Sequence, residues 1–265
     1  MTGYEEWLIR HGRAQKTIDG YMWTINKYLD FCKGIPSKDT LEQYIEKLVE
    51  GGAESSSVQR HYFAIRSFFK YLDRENEVKD IVLPKVNSKE SRYIKPDEVQ
   101  KILAVAHHPT DRLIIRLIFD GALRASELLK LTVEDFTASP GYIRIMGSKR
   151  RGPNEADYIP VDDVIIADLK RYLKHMNITK GPIFNVEYQA LYQRIKRLCR
   201  SAKIDAYSPH AFRHGRGTQL AITDRADIYD LRDFMRHKSI QTTMRYVHVA
   251  PEVLKKRIKP SMGVE

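Results

Sequence analysis

Two arginines, two histidines and one tyrosine stand at separated points in the second half of this sequence, and together they could cleave a phosphodiester. A phosphodiester carries a negative charge that repels nucleophiles. A protein that cuts one without a metal must neutralise that charge and supply both a nucleophile and an acid. Arginine suits the first task because it stays protonated and its planar fork binds two phosphate oxygens at once. The set comprises Arg124, His210, Arg213, His237 and Tyr246.

The nucleophile that we predict is Tyr246, which lies nine residues after His237. A free tyrosine has a pKa of about 10, so its attack on phosphorus requires a cationic site and a nearby base. His210 or His237 could accept or steer the proton. Glu127 lies three residues after Arg124 and could orient it. Taken singly, an arginine is more often a surface residue and a tyrosine a half-buried aromatic, so only the whole set indicates a reaction.

A basic loop between two predicted strands supplies the candidate acid. Alternating apolar residues predict strands at 142–145 and 158–161, and Lys149 lies in the loop between them. A flexible lysine there could reach into the minor groove and protonate the leaving 5′ oxygen. The neighbouring Arg150 and Arg151 are candidate DNA contacts, and they leave open which group in this loop is the acid. A solvated hairpin lysine is the simpler interpretation of Lys149.

Metal chemistry is not expected. His210 and His214 are four residues apart, a spacing that also suits zinc on a helix. The metalloprotease pattern requires glutamate directly after the first histidine, where this sequence has Ala211, and no cysteine or acidic pair accompanies them. We therefore predict a site without metal or other cofactor.

The charge of the chain indicates a polyanionic partner, of which nucleic acid is the commonest. The 13 basic and 13 acidic residues of positions 1–88 balance, so the net charge of +11 lies in the remaining residues of the 265. A basic excess can also serve solubility alone. With 42% hydrophobic residues the chain can fill a core, which argues against a disordered protein.

The sequence also predicts the compartment. Cys32 and Cys199 are far apart, which fits a reducing environment better than a disulfide framework. The N-terminus has no signal-peptide pattern, and no run of about 18 apolar residues predicts a membrane span. We expect a cytoplasmic, nucleoid-associated protein that does not bind membranes.

Helical periodicity organises the chain into two domains. Residues 1–80 predict a small bundle with helices at 3–11, 17–33, 40–49 and from Ser56 or Ser57 onward, the second one capped by Thr17. The polar face of the fourth helix offers three candidate phosphate contacts, although a solvated face explains them equally well: Arg60, Arg66 and Lys70.

Residues 81–95 lack periodicity and predict a linker. Beyond it, residues 96–265 predict a mainly α domain with one small antiparallel sheet. Its predicted helices span 96–107, 111–121, 124–130, 163–175, 187–202, 209–222, 227–235 and 239–247.

Three segments together resemble the tyrosine recombinase (phage integrase) family. They are Gly121–Leu128, similar to the first arginine box; His210–His214, similar to the His-x-x-Arg-His box; and His237–Val249, similar to the nucleophile segment. The resemblance covers nearly the whole chain. It implies that the N-terminal bundle is a SAM-like core-binding domain and that the second domain is catalytic, the two clamping DNA between them.

By this resemblance the protein is a site-specific DNA recombinase, Xer-type or a simple archaeal or phage enzyme. Tyr246 would attack the scissile phosphate and leave a 3′-phosphotyrosine, which the 5′-hydroxyl of a partner strand resolves without ATP. Lys149 would be the acid and His210 would assist proton transfer, while the phosphate would be held by Arg124, Arg213, His210 and His237. A homotetramer on two double-stranded DNA sites would pass through a Holliday junction.

Three positions depart from the family pattern. Arg236 stands where the family commonly has glycine, and there we expect an added phosphate contact or a different helix start. The first box reads Asp120-Gly121-Ala122 rather than Thr-Gly, and the hairpin reads Gly147-Ser148-Lys149 rather than Gly-Lys-Gly. The sequence opens on the core-binding helices, so we expect no additional arm-binding domain.

Two other functions share part of this evidence. A type IB topoisomerase nicks and reseals DNA by the same chemistry, and the core-binding bundle and short tail favour recombination over it. An architectural DNA-binding protein could keep the fold without the reaction, but it would not need Tyr246 at this spacing. The apolar Val253, Leu254 and Ile258 of the tail suggest a contact between protomers.

Overall fold

A computed structural model of the protein describes residues 2–86, 92–147, 154–223 and 226–248. The chain folds as two units, Met1–Lys89 and Glu90–Glu265. The division falls inside the segment 81–95, for which the sequence predicts a linker. Among the residues described, no helix is both long enough and apolar enough to cross a membrane.

The first unit is a bundle of four helices around one apolar core. The helices are α1 (Thr2–Arg10), α2 (Gln15–Phe31), α3 (Lys38–Glu50) and α4 (Ser55–Tyr71), followed by a short 3-10 helix at Glu75–Glu77. Each contributes fully buried side chains to the core, among them Leu8, Ile25, Leu41, Ile65 and Phe69. Burial of these stripes, rather than intrinsic helix propensity, supplies most of the stability of short helices.

The prediction that Thr17 caps the second helix is wrong. Helix α2 begins two residues earlier at Gln15, and its N-cap is Ala14. The side-chain amide of Gln15 donates to the carboxylate of Asp19 at 2.9 Å, a contact across the first turn that supports the earlier start.

Where it is described, the second unit has helices and one two-stranded sheet. Its elements are α5 (Pro96–Val105), α6 (Pro109–Phe119), α7 (Ala125–Leu128), α8 (Val133–Thr137), β1 (Tyr142–Met146), β2 (Ala156–Pro160), α9 (Asp163–Met176), α10 (Tyr188–Ser201), α11 (Pro209–Ile222), α12 (Ile228–Phe234) and α13 (Ile240–His248). The strands pair antiparallel with Ile143 opposite Ile159. The predicted fold class, mainly α with a small antiparallel sheet, is confirmed. Helix α8 was not predicted, because five residues are too few to show a periodic pattern.

Helix α6 is the centre of the second core. It is buried over most of its circumference, including Leu113, Ile114, Leu117 and Ile118. Its narrow polar face is formed by the partly exposed Arg112 and Arg116, and its neighbours enclose the rest. Its chain leaves through Gly121, where a Cβ would lie 2.8 Å from the carbonyl oxygen of Leu117. Only glycine fits this exit, which leads directly to Arg124.

The end of the predicted linker belongs to the second core. Ile94 is fully buried, and its amide donates to the carbonyl of Ala211 in α11 at 3.3 Å. The backbone of Ile94 lies so close to α11 that a Cβ at Gly215 would collide with its carbonyl oxygen. At the other end, Ile81 is buried in the core of the first unit. The stretch predicted as linker is therefore anchored at 81 and at 94.

Candidate active site

Helix α11 presents one face to the site. His210, Arg213, His214 and Gly217 recur at intervals of three and four residues, so they lie on the same side of the helix. Arg213 is only 1% exposed. Its two terminal nitrogens donate to the carbonyls of Ala122 and Met235. The guanidinium thus joins α11 to the turn before α7 and to the end of α12.

His210 and His214 take different positions on this face. His210, in the first turn of α11, is exposed. Desolvation by neighbouring protein atoms lowers its pKa, and the charge of Arg213 acts in the same direction. His214 is buried, and its Nδ1 lies 3.4 Å from the hydroxyl of Thr218. The accessible imidazole is therefore His210, whereas His214 is built into the interior.

Arg124 enters the same site from the N-cap of α7. The carboxylate of Glu127 accepts from the Arg124 amide at 2.8 Å and from its Nη1 at 2.5 Å. Arg124 Nη2 donates to the carbonyl of Arg236 at 3.0 Å. Glu127 therefore caps the helix and fixes the direction of the Arg124 guanidinium, the orienting function that the spacing predicts.

Glu127 is the common partner of three guanidinium groups. Its Oε2 lies 2.8 Å from Arg236 Nη2 and 3.9 Å from Arg213 Nη1. Burial alone would raise the pKa of Glu127, but the cations, led by Arg236, outweigh it and hold the pKa at about 2. Burial and the neighbouring cations also lower the pKa of Arg213 to about 9, so it remains charged at neutral pH. The cluster keeps an excess of positive charge, which suits an anion.

Tyr246 packs against two histidine rings and a glycine. It is 3% exposed. The ring of His214 meets it edge to face with centroids 5.1 Å apart, and His237 lies parallel to it at 6.2 Å. A Cβ at Gly217 would lie only 2.7 Å from the Tyr246 Cζ. The phenol therefore rests directly on the backbone of α11, one turn after Arg213.

His237 is oriented by a buried threonine. Its Nδ1 lies 2.8 Å from the hydroxyl of Thr243, which is fully buried in α13. With Nδ1 engaged, Nε2 is the nitrogen available to a substrate. Burial lowers the pKa of His237 to about 3, and the surrounding arginines add to the shift. Burial likewise raises the pKa of Tyr246, partly offset by Arg213 and other arginines. Both groups are neutral at pH 7.

The arginines, His237, Glu127 and Tyr246 thus share one site, and His210 lies on the α11 face that borders it. Lys149, Arg150 and Arg151 lie outside the described residues. Among the residues that are described, no group of three or more histidine, cysteine, aspartate or glutamate side chains is arranged to hold a metal ion.

The expectation that Arg236 adds a phosphate contact does not fit the structure. All three nitrogens of its guanidinium bond to protein acceptors. The difference from the family pattern lies in the backbone, since residue 236 has φ +50°, a conformation that glycine adopts readily.

Of the three candidate DNA contacts on α4, two are exposed and one is paired. Arg60 and Lys70 are exposed, and Arg60 donates to the Ser57 hydroxyl at 2.8 Å. Arg66 forms an ion pair with Glu75 at 2.8 Å and is less free to turn to another anion.

Comparison with known proteins identifies the family. The model of the phage integrase family matches residues 92–252, and that of the phage integrase N-terminal SAM-like domain matches residues 1–76. The chain belongs to the phage integrase family. It is a tyrosine recombinase, an enzyme of site-specific recombination, and neither the topoisomerase nor the non-catalytic alternative is favoured.

The relatives of this tyrosine recombinase include Xer proteins. Tyrosine recombinase XerA of Saccharolobus solfataricus is 30% identical over 97% of this chain and 90% of its own length. Tyrosine recombinase XerD of Staphylococcus saprophyticus is 26% identical, covering 94% and 92%.

Two solved structures show the same fold. The Tn1549 transposon integrase in complex with transposon right end DNA superposes with a TM-score of 0.75 at 15% identity, over 97% of this chain and 98% of that one. The XerH site-specific recombinase bound to palindromic difH substrate gives 0.74 at 21%, over 91% and 78%.

Sequence reasoning missed three parts of this recombinase site. Gly217 and the inward ring of His214 lie against Tyr246, and Thr243 orients His237. Gly217 and His214 lie seven and four residues after His210, which places all three on one face of the helix. This spacing could have indicated Gly217 and His214. Thr243 is a buried hydroxyl on the helix of the tyrosine, and no pattern singles it out.

Proposed function

We propose that this recombinase cuts and rejoins double-stranded DNA at a specific site, with Tyr246 as the nucleophile that forms a 3′-phosphotyrosine. The observation that carries the proposal is the seat of Tyr246, whose phenol lies beside His237 and one helical turn from Arg213. A nucleophile next to fixed cations is what attack on a phosphodiester requires.

Arg124 and Arg213 are proposed to hold the scissile phosphate. Both are fixed before substrate arrives, Arg124 by Glu127 and Arg213 by two backbone carbonyls. Donors held in place cost little reorganisation during the reaction, so their charge acts fully on the transition state. His237, oriented by Thr243, would add a donor through Nε2.

Proton transfer requires a base for Tyr246 and an acid for the leaving oxygen. Because burial raises the pKa of Tyr246, the resting phenol is protonated and must lose its proton during attack. His210 is exposed and has a lowered pKa, so it is neutral at pH 7 and can accept that proton. Lys149 remains our candidate for the acid, with its two arginine neighbours as alternatives.

The two units would divide the work. We assign residues 1–80 to DNA binding and 96–265 to catalysis, joined by 81–95. The exposed Arg60 and Lys70 support a role for α4 in phosphate contacts. A homotetramer on two sites, passing through a Holliday junction, would complete the exchange, and such a substrate would place the protein at the nucleoid.

The test begins with a substrate. Wild-type protein selects its site from a pool of random duplexes, and the site is then rebuilt with a nick close to the cleavage point so that cleaved DNA cannot be rejoined. A denaturing gel should show a covalent protein–DNA adduct that disappears in Tyr246→Phe. Tyr229→Phe, at an exposed tyrosine of α12, is the matched control and should keep the adduct. Survival of the adduct in Tyr246→Phe would refute the assignment, and so would an adduct that disappears in Tyr229→Phe but not in Tyr246→Phe.

A further inference from the structure

A third arginine competes with the two proposed phosphate ligands for Glu127. Arg236 Nη2 lies 2.8 Å from Glu127 Oε2, and its Nε lies 3.5 Å from Oε1. Arg213 Nη1 stays 3.9 Å from the same Oε2. Arg236 therefore occupies the carboxylate oxygen to which Arg213 would otherwise bond.

The guanidinium of Arg236 is used entirely inside the protein. Its Nη1 donates to the carbonyl of Phe234 at 2.7 Å, and its Nη2 also donates to the carbonyl of Ala122 at 2.8 Å. Because Nε and both Nη atoms are bonded to protein acceptors, the group has no free nitrogen to offer to DNA. A buried arginine with all three nitrogens engaged acts on its neighbours, and its principal neighbour is Glu127.

The backbone of Arg236 acts on the same neighbours. Its carbonyl accepts from Arg124 Nη2 at 3.0 Å, and the next residue is His237. To make these contacts residue 236 adopts φ +50°, which is unfavourable for any residue that has a Cβ. The side chain therefore stays in a position where the backbone would favour glycine, and the contacts of the guanidinium compensate.

We propose that Arg236 is a positioning residue for strand cleavage, which neutralises Glu127 so that Arg213 keeps its guanidinium for the scissile phosphate. This role rests on the proposed function. Without Arg236, the cationic partners left to Glu127 among the described residues are Arg124 and Arg213. Arg213 needs to close only from 3.9 Å to about 2.8 Å to form a charge-assisted hydrogen bond. An arginine bound in this way is withdrawn from the phosphate.

The first measurement is single-turnover cleavage of the selected nicked duplex at saturating protein. Arg236→Gly relieves the backbone but removes the charge, and it should cleave about 10- to 100-fold more slowly. Arg236→Lys keeps a charge without the fork and should lose about 3- to 10-fold. Lys203 also has positive φ but is exposed, so Lys203→Gly is the matched backbone control and should cleave at the wild-type rate.

The decisive variant is the double substitution Glu127→Gln with Arg236→Gly. Glutamine can still accept from Arg124 but carries no charge to attract Arg213. If Arg236 acts by neutralising Glu127, the double variant should cleave several-fold faster than Arg236→Gly alone. A purely structural role predicts that the double variant is as slow or slower, and that result would overturn the proposal.

A second measurement does not require cleavage. Inorganic phosphate is titrated into each protein while the arginine Nε–Hε signals are followed by NMR. Phosphate should bind more weakly to Arg236→Gly than to wild type, and the double variant should recover the affinity. Equal phosphate affinity in wild type and Arg236→Gly would overturn the proposal. Absence of a Tyr246 adduct in wild type would refute the proposed function, while this titration would still decide the role of Arg236.

Discussion

A single methyl group at Gly217 should displace the proposed nucleophile. In Gly217→Ala the new Cβ would lie 2.7 Å from Tyr246 Cζ, 2.8 Å from Cε1 and 3.0 Å from the hydroxyl oxygen. Ordinary contact begins near 3.4 Å, so the ring must move by at least about 0.7 Å. Misplacement of a reacting group by about 1 Å can cost about 100-fold in rate. We therefore expect single-turnover cleavage to fall about 10- to 100-fold, with DNA affinity unchanged.

The effect on stability should run differently from the effect on rate. Alanine in a helix interior is more stable than glycine by about 1 kcal/mol, and overpacking against the ring should offset this by about 1–3 kcal/mol. Gly20→Ala, in α2, is the matched control, because no atom lies within 4 Å of its added Cβ. It should gain about 1 kcal/mol in the free energy of unfolding and cleave normally.

The two variants are compared by thermal unfolding and by rates of adduct formation at saturating protein. A folded Gly217→Ala protein that cleaves within about twofold of wild type would refute the reasoning, since a Cβ at 2.7 Å from Tyr246 Cζ leaves the ring no room to stay. The contact between Tyr246 and the backbone of α11 would then not determine the position from which Tyr246 attacks.

Three further predictions concern the proposed reaction and its site. Arg124→Lys should reduce cleavage far more than DNA binding, because a point charge cannot replace a bidentate fork; equal losses in filter binding and in adduct formation would contradict this. The pKa of His237 is about 3 in the folded protein and about 6.5 unfolded, so the unfolded chain binds the extra proton. Stability should therefore fall as pH drops from about 6.5 towards 3, by at most about 1.4 kcal/mol per unit. Urea titrations at several pH values between 6.5 and 5, above the range where Glu127 titrates, give the free energy of unfolding at each pH. This free energy should change less with pH in His237→Asn than in wild type, and an equal change in both would exclude His237 as the source. Finally, Lys149→Ala should cleave poorly on a normal duplex and recover on one with a 5′-bridging sulfur, which leaves without protonation; equal loss on both substrates would assign the acid to another residue.

The sequence predicts the elements of this protein better than the directions of its side chains. Apart from the five-residue α8, the α-helices described in both units were predicted, because their apolar stripes bury against a core, as in α6 and α11. Arg124, Arg213, His237 and Tyr246 were predicted as a set because their chemistry depends on residue type, and the fold then brings them together. Whether a given side chain is buried does not follow from its residue type, however, as Arg236 shows.

Nothing local to position 236 indicates that its side chain points inward. Its partner, Glu127, is 109 residues away in sequence, and the positive φ that turns the guanidinium inward depends on the chain ends of α12 and α7 meeting. A charged residue in a basic nucleic-acid enzyme is therefore assigned to the surface by default. For Arg66 the sequence left a phosphate contact and a solvated face equally open, and it did not indicate the ion pair with Glu75.

The close crossing of Ile94 over Gly215 decides where this protein can be shortened. A catalytic fragment that began at residue 96, the predicted domain start, would lose the fully buried Ile94 side chain and the bond from its amide to Ala211. It would also uncover the groove above Gly215 on the helix that carries His210 and Arg213. A fragment that begins before residue 92 retains Ile94 and its contacts with α11. Removing only a few more residues should make the fragment fold less stably and expose an apolar groove beside its own active site.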